Sequence, residues 1–136
     1  MPITKNTFET MRLAMDLIND LNEPTCIALI GDLGAGKTVF VKGIAKALGI
    51  NEVIQSPSFV LMRSYRGRMK LYHIDFYRIR ISDEVIPFEE YFLADGITAI
   101  EWADRVKNVL PLERIDVKIN IMGIEEREVT ISDYRN

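Results

Sequence analysis

Residues 31–38 read GDLGAGKT, which fits the phosphate-binding loop pattern G-x-x-x-x-G-K-S/T at every fixed position. Residues 26–30, just before the loop, form a short apolar, β-branched run that predicts a buried strand. Residues 39–48 have helical character and end at Gly49, a residue typical of the position after a helix. This order of strand, glycine loop and helix is the context that the motif requires, and it disfavours a chance match.

The residue types in this loop suit a bound phosphate for geometric reasons. Glycine allows backbone N–H groups to approach phosphate oxygens without a Cβ clash, and the positive end of the following helix adds to their field. The motif assigns the ammonium of Lys37 to the β- and γ-phosphates and the hydroxyl of Thr38 to Mg²⁺. We therefore expect a nucleotide bound through Asp32, Leu33, Gly34, Ala35, Gly36, Lys37, Thr38 and Val39.

The composition of the chain limits its possible class. With 136 residues, of which 48% are hydrophobic and 27% charged, it is predicted to form one domain over residues 1–136. No apolar run is long enough to span a bilayer and residues 1–5 lack the pattern of a secretory signal, so we expect a cytoplasmic protein without membrane association. Cys26 is the only cysteine, which excludes a disulfide framework and a cysteine-cluster zinc site.

Charge is distributed unevenly along the chain. The net charge is −3, so the chain as a whole is not the polycation that is typical of nucleic-acid-binding proteins. Six basic residues nevertheless crowd residues 63–80, and the part of the chain after residue 82 is rich in acids. The basic stretch is a candidate contact for RNA or for an acidic face of a partner protein. The alternative is that both stretches are ordinary solvated surfaces.

An amphipathic helix is predicted ahead of the first buried strand. Asn6 and Glu9 have the spacing of a capping box, and apolar residues at helical spacing extend the helix to about Leu21. We expect this helix to cover one face of the sheet. Residues 82–92 are harder to assign, because Pro87 interrupts any long helix.

Two hairpins are predicted on the flanks of the sheet. Residues 59–65 and 68–74 flank a short turn and favour an antiparallel pair. Residues 115–121 alternate between apolar and polar, and residues 127–131 are predicted to return antiparallel to them. Together with the phosphate loop, these elements predict an α/β fold with a P-loop NTPase-like mixed sheet. Its centre is parallel, its flanking strands are antiparallel, and helices cover both faces.

Two acids follow predicted strands downstream of the loop. Asp75 ends the second arm of the first hairpin, where the Mg²⁺-binding acid of a P-loop protein should lie. Glu101 follows the buried run 97–100, and it could polarise an attacking water, bind the metal through water, or be an ordinary acid at a helix N-terminus. The S-P-S stretch at residues 56–58 is either a switch-like segment near the γ-phosphate or a plain turn.

Four sequence blocks occur together and in order. They are GDLGAGKT at residues 31–38, SPSF at 56–59, YHIDFYR at 72–78 and IEW at 100–102. The phosphate loop alone is generic, but the loop followed by H-x-D-x-Y-R and then E-W is specific. The set resembles the bacterial TsaE family, the small ATPases of tRNA threonylcarbamoyladenosine biosynthesis, and the resemblance covers nearly the whole chain.

The resemblance implies a function and a set of partners. It implies a cytoplasmic P-loop ATPase that uses ATP and Mg²⁺ and works with the threonylcarbamoyl transferase TsaD and its companion TsaB. The transferase forms the bond to the tRNA adenosine, and the nucleotide cycle of the ATPase resets the complex. The protein would reach tRNA through the complex, and whether it contacts tRNA directly stays open.

The resemblance also implies roles for individual residues. Lys37 matches the phosphate lysine, Thr38 and Asp75 match the Mg²⁺ ligands, and Glu101 matches a metal-associated or catalytic carboxylate. The predicted catalytic residues are therefore Glu101, Lys37 and Asp75, and the predicted metal ligands are Thr38, Asp75 and Glu101. Ser58 stands where the family commonly has threonine, and His73, Tyr77, Arg78 and Trp102 match motif positions without a settled role. Residues 83–92 depart from the family pattern by being shorter and lacking its glycine.

Two other functions stay open at this point. A small-molecule kinase would use the same loop to transfer a phosphoryl group to an acceptor, although the chain is short for a lid or acceptor domain. A nucleotide-dependent adaptor would bind ATP without hydrolysing it. A GTP switch is disfavoured, because the chain lacks the guanine-reading motif N-K-x-D.

Overall fold

A seven-stranded sheet forms the centre of the fold in the computed structural model, which describes residues 2–57, 61–80 and 82–135. In space the strands follow the order β1-β7-β6-β2-β5-β4-β3. Their bounds are Ile3–Thr4 for β1, Thr25–Ile30 for β2, Met62–Arg66 for β3, Lys70–Asp75 for β4, Gly96–Glu101 for β5, Ile115–Ile121 for β6 and Arg127–Asp133 for β7.

The sheet is mixed, as predicted. Strands β6, β2, β5 and β4 are parallel neighbours and form its centre. On one flank β3 runs antiparallel to β4, and on the other β7 runs antiparallel to β6. The sequence analysis missed β1, a strand of two residues that pairs with β7.

Helices cover both faces of the sheet, which confirms the predicted fold class. The α-helices α1, Thr7–Asn19, and α2, Lys37–Ala47, pack against one face, and the 3₁₀ helices Ser82–Tyr91 and Ala103–Val109 lie against the other. Successive side chains of β2 point to opposite faces of the sheet, so the strand contributes to both layers. Ile27 packs with the α-helices and Ala28 packs with the 3₁₀ helices. No helix of the described residues has the length and apolar composition needed to cross a membrane.

The predicted helix boundaries are confirmed with small differences. The Asn6 side chain accepts a hydrogen bond from the backbone N–H of Glu9 at 2.9 Å, as the capping motif requires. The Glu9 carboxylate accepts its return bond from the N–H of Lys5 rather than from that of the cap residue. Helix α1 ends at Asn19, and Leu21 packs in the core beyond it. Gly49 follows α2 with φ +75°, as predicted for the residue after a helix.

The first hairpin and the stretch around Pro87 differ in detail from the sequence prediction. The hairpin arms are β3 and β4. Residues 59 and 60, the first two of the predicted first arm, lie outside the described residues, and so does Ser58 of the S-P-S stretch. Pro87 lies inside the 3₁₀ helix Ser82–Tyr91. This short helix still contributes to the core, because Val85 is fully buried. The shortened stretch therefore keeps a packed apolar face.

Cys26 packs in β2 as a small apolar residue. Burial raises the pKa of its thiol to about 12, so the side chain stays protonated at neutral pH. A protonated, buried thiol is a poor nucleophile. Cys26 therefore belongs to the core and not to a reactive site.

A glycine sets the distance between the two α-helices. A Cβ added at Gly43 of α2 would lie 2.3 Å from the carbonyl oxygen of Met11 and 2.7 Å from Cβ of Ala14, both in α1. The first of these atoms is backbone, so it cannot move aside without displacing the helix. The packing of α1 on α2 thus depends on the absence of a side chain at this position.

We expect Gly43→Ala to destabilise the protein even though alanine favours helices. Overpacking of the interface should lower the free energy of unfolding by about 1–3 kcal/mol, which outweighs the gain of up to about 1 kcal/mol in helix propensity. Urea denaturation measures the change. The exposed neighbour Lys42 provides the control, because Lys42→Ala on the same helix should change stability by less than about 0.5 kcal/mol. Equal stability of both variants would contradict the prediction.

Candidate nucleotide-binding site

A cavity of about 310 Å³ lies between the phosphate loop and the carboxyl ends of β4 and β5. This is the edge at which open α/β sheets bind their ligands. Ten residues line it: Leu33, Gly34, Gly36, Lys37, Thr38, Val39, Ser56, Asp75, Glu101 and Trp102. Two of the predicted nucleotide-binding residues do not line it. Ala35 is fully buried in the core, and Asp32 lies beside a neighbouring cavity.

Backbone geometry explains the glycines of the loop. Gly34 and Gly36 have φ of +80° and +105°, a region that residues with a Cβ rarely adopt. A Cβ at Gly31 would lie 2.7 Å from the carbonyl oxygen of Ile119, so glycine is needed there for close approach to β6. Helix α2 begins directly after Gly36, and the N–H groups of its first turn have no partner within the helix. Those N–H groups are the donors that a phosphate would use.

The ammonium of Lys37 lies under the loop in a nearly enclosed position. The side chain is 4% exposed, and Nζ donates to the carbonyl oxygens of Gly31 at 2.5 Å and Asp32 at 3.0 Å. Burial lowers the pKa of Lys37, while the nearby carboxylates of Glu101 and Asp75 oppose that shift. The net shift of the pKa is downward, because burial outweighs the attraction of these carboxylates for the ammonium. Its predicted contact with a triphosphate stays a prediction.

Trp102 covers the ammonium of Lys37. Its ring centroid lies 4.0 Å from Nζ, within the range of a cation–π interaction. The backbone of Trp102 has φ +58°, an uncommon conformation for a residue with a large side chain. Tyr77 packs on the same ring at 5.0 Å and the guanidinium of Arg105 lies 5.2 Å from it. Trp102 thus forms one wall of the site, whereas the sequence left its role unsettled.

The carboxylate of Glu101 connects three elements. It ends β5 and is 4% exposed. The hydroxyl of Thr38, in the first turn of α2, donates to it at 3.0 Å, and Nε2 of His73 on β4 lies 2.5 Å from it. Nδ1 of His73 has no partner among the described residues, so the ring is held through Nε2 alone. Donors from two sides therefore fix the Glu101 carboxylate.

Asp75 lies beside Glu101 at the end of β4. The two residues are register partners on parallel strands, so their backbones are about 4.8 Å apart. Oδ1 of Asp75 accepts the backbone N–H of Tyr77 at 2.8 Å, and Oδ2 lies 3.5 Å from the hydroxyl of Ser56. Asp75 is 3% exposed. The predicted metal ligands Thr38, Asp75 and Glu101 are therefore brought to one side of the cavity.

These side chains fit a magnesium ion by their chemistry. Mg²⁺ prefers oxygen ligands, and proteins usually hold it through one or two carboxylates together with phosphate oxygens and waters. The site offers the carboxylates of Asp75 and Glu101 and the hydroxyls of Thr38 and Ser56. Within the described residues, no cluster of three or more histidine, cysteine or acidic side chains is arranged as a metal site. The donor set thus suits an ion that shares its coordination with a bound triphosphate.

Two residues of the basic stretch have structural partners. Arg68 donates to Asn22 and to the carbonyl oxygen of Ile18, and Lys70 pairs with Asp95 at 3.0 Å. These contacts belong to the surface of the fold and not to the cavity. Arg78 is exposed and does not line the cavity. The role of the remaining basic residues as a contact for RNA or a partner stays a prediction.

Sequence reasoning missed the partners of two residues. It left His73 as a motif position, although His73 and Asp75 are two residues apart on one strand and so share a face. It gave no role to Arg127, which donates to the loop carbonyl of Ala35 across 92 positions of sequence. The strand period was a usable signal for His73. No comparable signal exists for Arg127.

Comparison with known proteins bears on the family of the chain. The model of the family described as threonylcarbamoyl adenosine biosynthesis protein TsaE matches residues 4–129. The chain belongs to the TsaE family. It is 38% identical to the tRNA threonylcarbamoyladenosine biosynthesis protein TsaE of Bacillus subtilis over 134 residues, which cover 98% of this chain and 85% of the relative. It is 36% identical to the TsaE protein of Treponema pallidum over 132 residues, or 96% of this chain and 98% of the relative.

A solved structure supports the same assignment. The crystal structure of YdiB from Bacillus subtilis superposes with a TM-score of 0.83 at 36% sequence identity. The match covers 98% of this chain and 84% of YdiB. The family resemblance seen in the four sequence blocks is therefore confirmed by sequence and by fold.

We expect mutations of His73 and Glu101 to have non-additive effects on the free energy of unfolding. A buried hydrogen bond between an imidazole and a carboxylate should give a coupling energy of about 2 kcal/mol in a double-mutant cycle of His73→Leu and Glu101→Gln. Urea denaturation of the four proteins measures it. As a control, His73→Leu and Asp95→Asn should be additive within about 0.5 kcal/mol, because Asp95 bonds to Tyr72 and Lys70 instead. Additivity of the first pair would contradict the contact.

Proposed function

We propose that this protein binds ATP with Mg²⁺ and hydrolyses it in support of tRNA threonylcarbamoyladenosine biosynthesis. The observation that carries the proposal is the hydrogen bond from the Thr38 hydroxyl to the Glu101 carboxylate, with Asp75 beside it. It places a motif hydroxyl and two acids at the mouth of a phosphate loop. The names of the relatives supply the pathway.

The loop and Lys37 are proposed to bind the triphosphate. The N–H groups of the first turn of α2 would donate to phosphate oxygens, and the positive end of the helix would favour their negative charge. Lys37 supplies an ammonium within the same cavity. Because the side chain is buried, its attraction for a phosphate is weakly screened by water.

Thr38 and Asp75 are proposed to bind the metal, and Glu101 is proposed to orient the attacking water. Thr38 and Asp75 would hold Mg²⁺, which when bound neutralises charge on the phosphates. Glu101 is suited to orient a water and accept its proton, since hydrogen bonds from two sides fix its carboxylate. In this role Glu101 contributes to turnover more than to binding.

The partners are proposed to be a TsaD-like transferase and a TsaB-like companion in the cytoplasm. The transferase would form the bond to the tRNA adenosine, and ATP hydrolysis by this protein would reset the complex for another round. Contact with tRNA would then occur within the complex. This assignment is supported by the pathway named for the relatives.

We expect loss of the protein to deplete threonylcarbamoyladenosine in tRNA. Nucleoside analysis of bulk tRNA by mass spectrometry, after depletion in the host, measures the modification. Re-expression of the wild-type chain should restore it, and Lys37→Ala should not, because that variant lacks the phosphate-binding ammonium. Lys42→Ala, on the exposed side of the same helix, is the matched control and should restore it fully. An unchanged level after depletion would refute the pathway assignment and leave the ATPase proposal standing.

We expect Lys37 and Glu101 to affect different kinetic steps. Lys37→Ala should weaken ATP binding by roughly 30-fold or more, from the loss of a charged hydrogen-bonding group worth about 2–3 kcal/mol. Glu101→Gln should lower kcat by about 10²–10⁴-fold with little change in affinity. Calorimetric titration with Mg²⁺–ATP gives affinity, and phosphate release with the transferase and companion present gives kcat. Wild-type turnover by Glu101→Gln would exclude Glu101 as the catalytic carboxylate.

A further inference from the structure

An arginine outside the predicted site is bonded to the phosphate loop. Nε of Arg127 donates to the carbonyl oxygen of Ala35 at 2.8 Å, and Nη2 donates to that of Gly34 at 3.1 Å. Nη1 donates to carbonyl oxygens in the turn before β7, those of Gly123 at 3.0 Å, Glu126 at 2.8 Å and Ile124 at 3.4 Å. A single guanidinium thus joins two backbone segments that are far apart in sequence.

The shape of the guanidinium makes this a rigid connection. Its N–H donors point in fixed directions within one plane, so contacts to both segments hold them at a set distance and angle. Arg127 itself begins β7, which pairs with β6 along its whole length. The loop is therefore attached to the sheet through a second route, besides its direct continuation from β2 into α2.

The contact with Ala35 also orients a donor of the loop. All peptide bonds of the described residues are trans, and in a trans peptide the C=O and N–H groups point in opposite directions. Since the carbonyl of Ala35 points at Arg127, the N–H of Gly36 in the same peptide unit points away from it. Gly36 lines the cavity, whereas Arg127 does not. The arginine thus orients this N–H away from itself, in a residue that lines the cavity.

The neighbouring peptide unit closes the turn of the loop. The carbonyl of Gly34 accepts from Arg127, and the N–H of Ala35 in the same unit donates to the carbonyl of Asp32 at 3.0 Å. Gly34 and Gly36 on either side lack a Cβ and have positive φ, so the loop's own sequence restrains these peptide units weakly. Apart from the bond between Ala35 and Asp32, the guanidinium of Arg127 is what restrains them.

We propose that Arg127 is a positioning residue that fixes the phosphate loop in its binding conformation. The proposal rests on the proposed function, in which this loop binds the phosphates of ATP. Because Arg127 holds the two peptide units in place before binding, the loop loses less conformational entropy when the nucleotide binds. No ion pair of the described residues involves Arg127, so its positive charge also adds to the field at the loop.

The test is a comparison of nucleotide affinity and turnover in Arg127 variants of the full chain. Arg127→Gln should raise the Kd for Mg²⁺–ATP, and equally for Mg²⁺–ADP, by about 10- to 30-fold, since a displaced loop weakens every phosphate contact. At saturating ATP its kcat should stay within about twofold of wild type, because the catalytic acids lie on other strands. Arg127→Lys, which keeps the charge without the planar fork, should show a smaller rise of about threefold to tenfold.

Arg135, which lies past the opposite end of β7 from Arg127, provides a matched control. It lies just beyond the end of β7 and pairs with Asp133 at 2.7 Å, remote from the cavity. Arg135→Gln should leave both Kd and kcat at their wild-type values. Urea denaturation of all variants separates a loss of binding from a loss of folded protein.

Each outcome decides between distinct conclusions. A Kd for Arg127→Gln within about twofold of wild type overturns the positioning role, and so does a fall in kcat that matches or exceeds the rise in Kd. If Arg127→Gln does not fold, Arg127→Lys is used for the same comparison, and a wild-type Kd for it overturns the proposal. A wild-type chain that binds neither ATP nor ADP refutes the proposed function itself, whereas a wild-type chain that binds both tightly leaves that function in place whatever Arg127 does.

Discussion

Parallel pairing of β2, β5 and β4 brings the carboxyl ends of three strands to one edge of the sheet, and the site depends on this register. Asp75 pairs with Glu101, and Glu101 pairs with Leu29, two residues before the loop begins at Gly31. Because side chains alternate between faces, a slip of one residue in β4 would move Asp75 to the face of the 3₁₀ helices. The apolar residues that fix the register are thus also what aligns the two acids with the start of α2.

The charged groups of the site are buried, and the structure compensates for this with directed hydrogen bonds. Lys37, Asp75 and Glu101 are each less than 5% exposed. Each has polar partners of its own, from loop carbonyls for Lys37 to the Thr38 hydroxyl and His73 for Glu101. A buried charge without such partners would destabilise the fold by several kcal/mol. The same low-dielectric surroundings strengthen the attraction between these groups and a phosphate or a cation.

Local sequence signals were sufficient for most of the fold. The loop motif and the strand and helix around it are contiguous, so they can be predicted without knowing the topology. The assignment of Asp75 needed the family resemblance as well, because the arm that it ends is only partly apolar. The two-residue β1 carries no periodicity and was missed. The contact between His73 and Glu101 could not be predicted, because it depends on which strands are neighbours. The 3₁₀ helix that contains Pro87 could not be predicted either, because it follows from the packing of Val85 and not from helix propensity.

The phosphate loop needs support that its own sequence cannot supply. Glycines permit its conformation, but the same freedom allows many others, and a carbonyl turned toward a phosphate would repel it. In the structure the carbonyls of Gly34 and Ala35 are held by Arg127, and that of Asp32 is held by an N–H within the loop. The N–H of Gly36, which shares a peptide unit with the Ala35 carbonyl, points away from Arg127 and is left available to a phosphate. Because Arg127 is the first residue of β7, the last strand, the loop is attached to this strand as well as to β2 and α2.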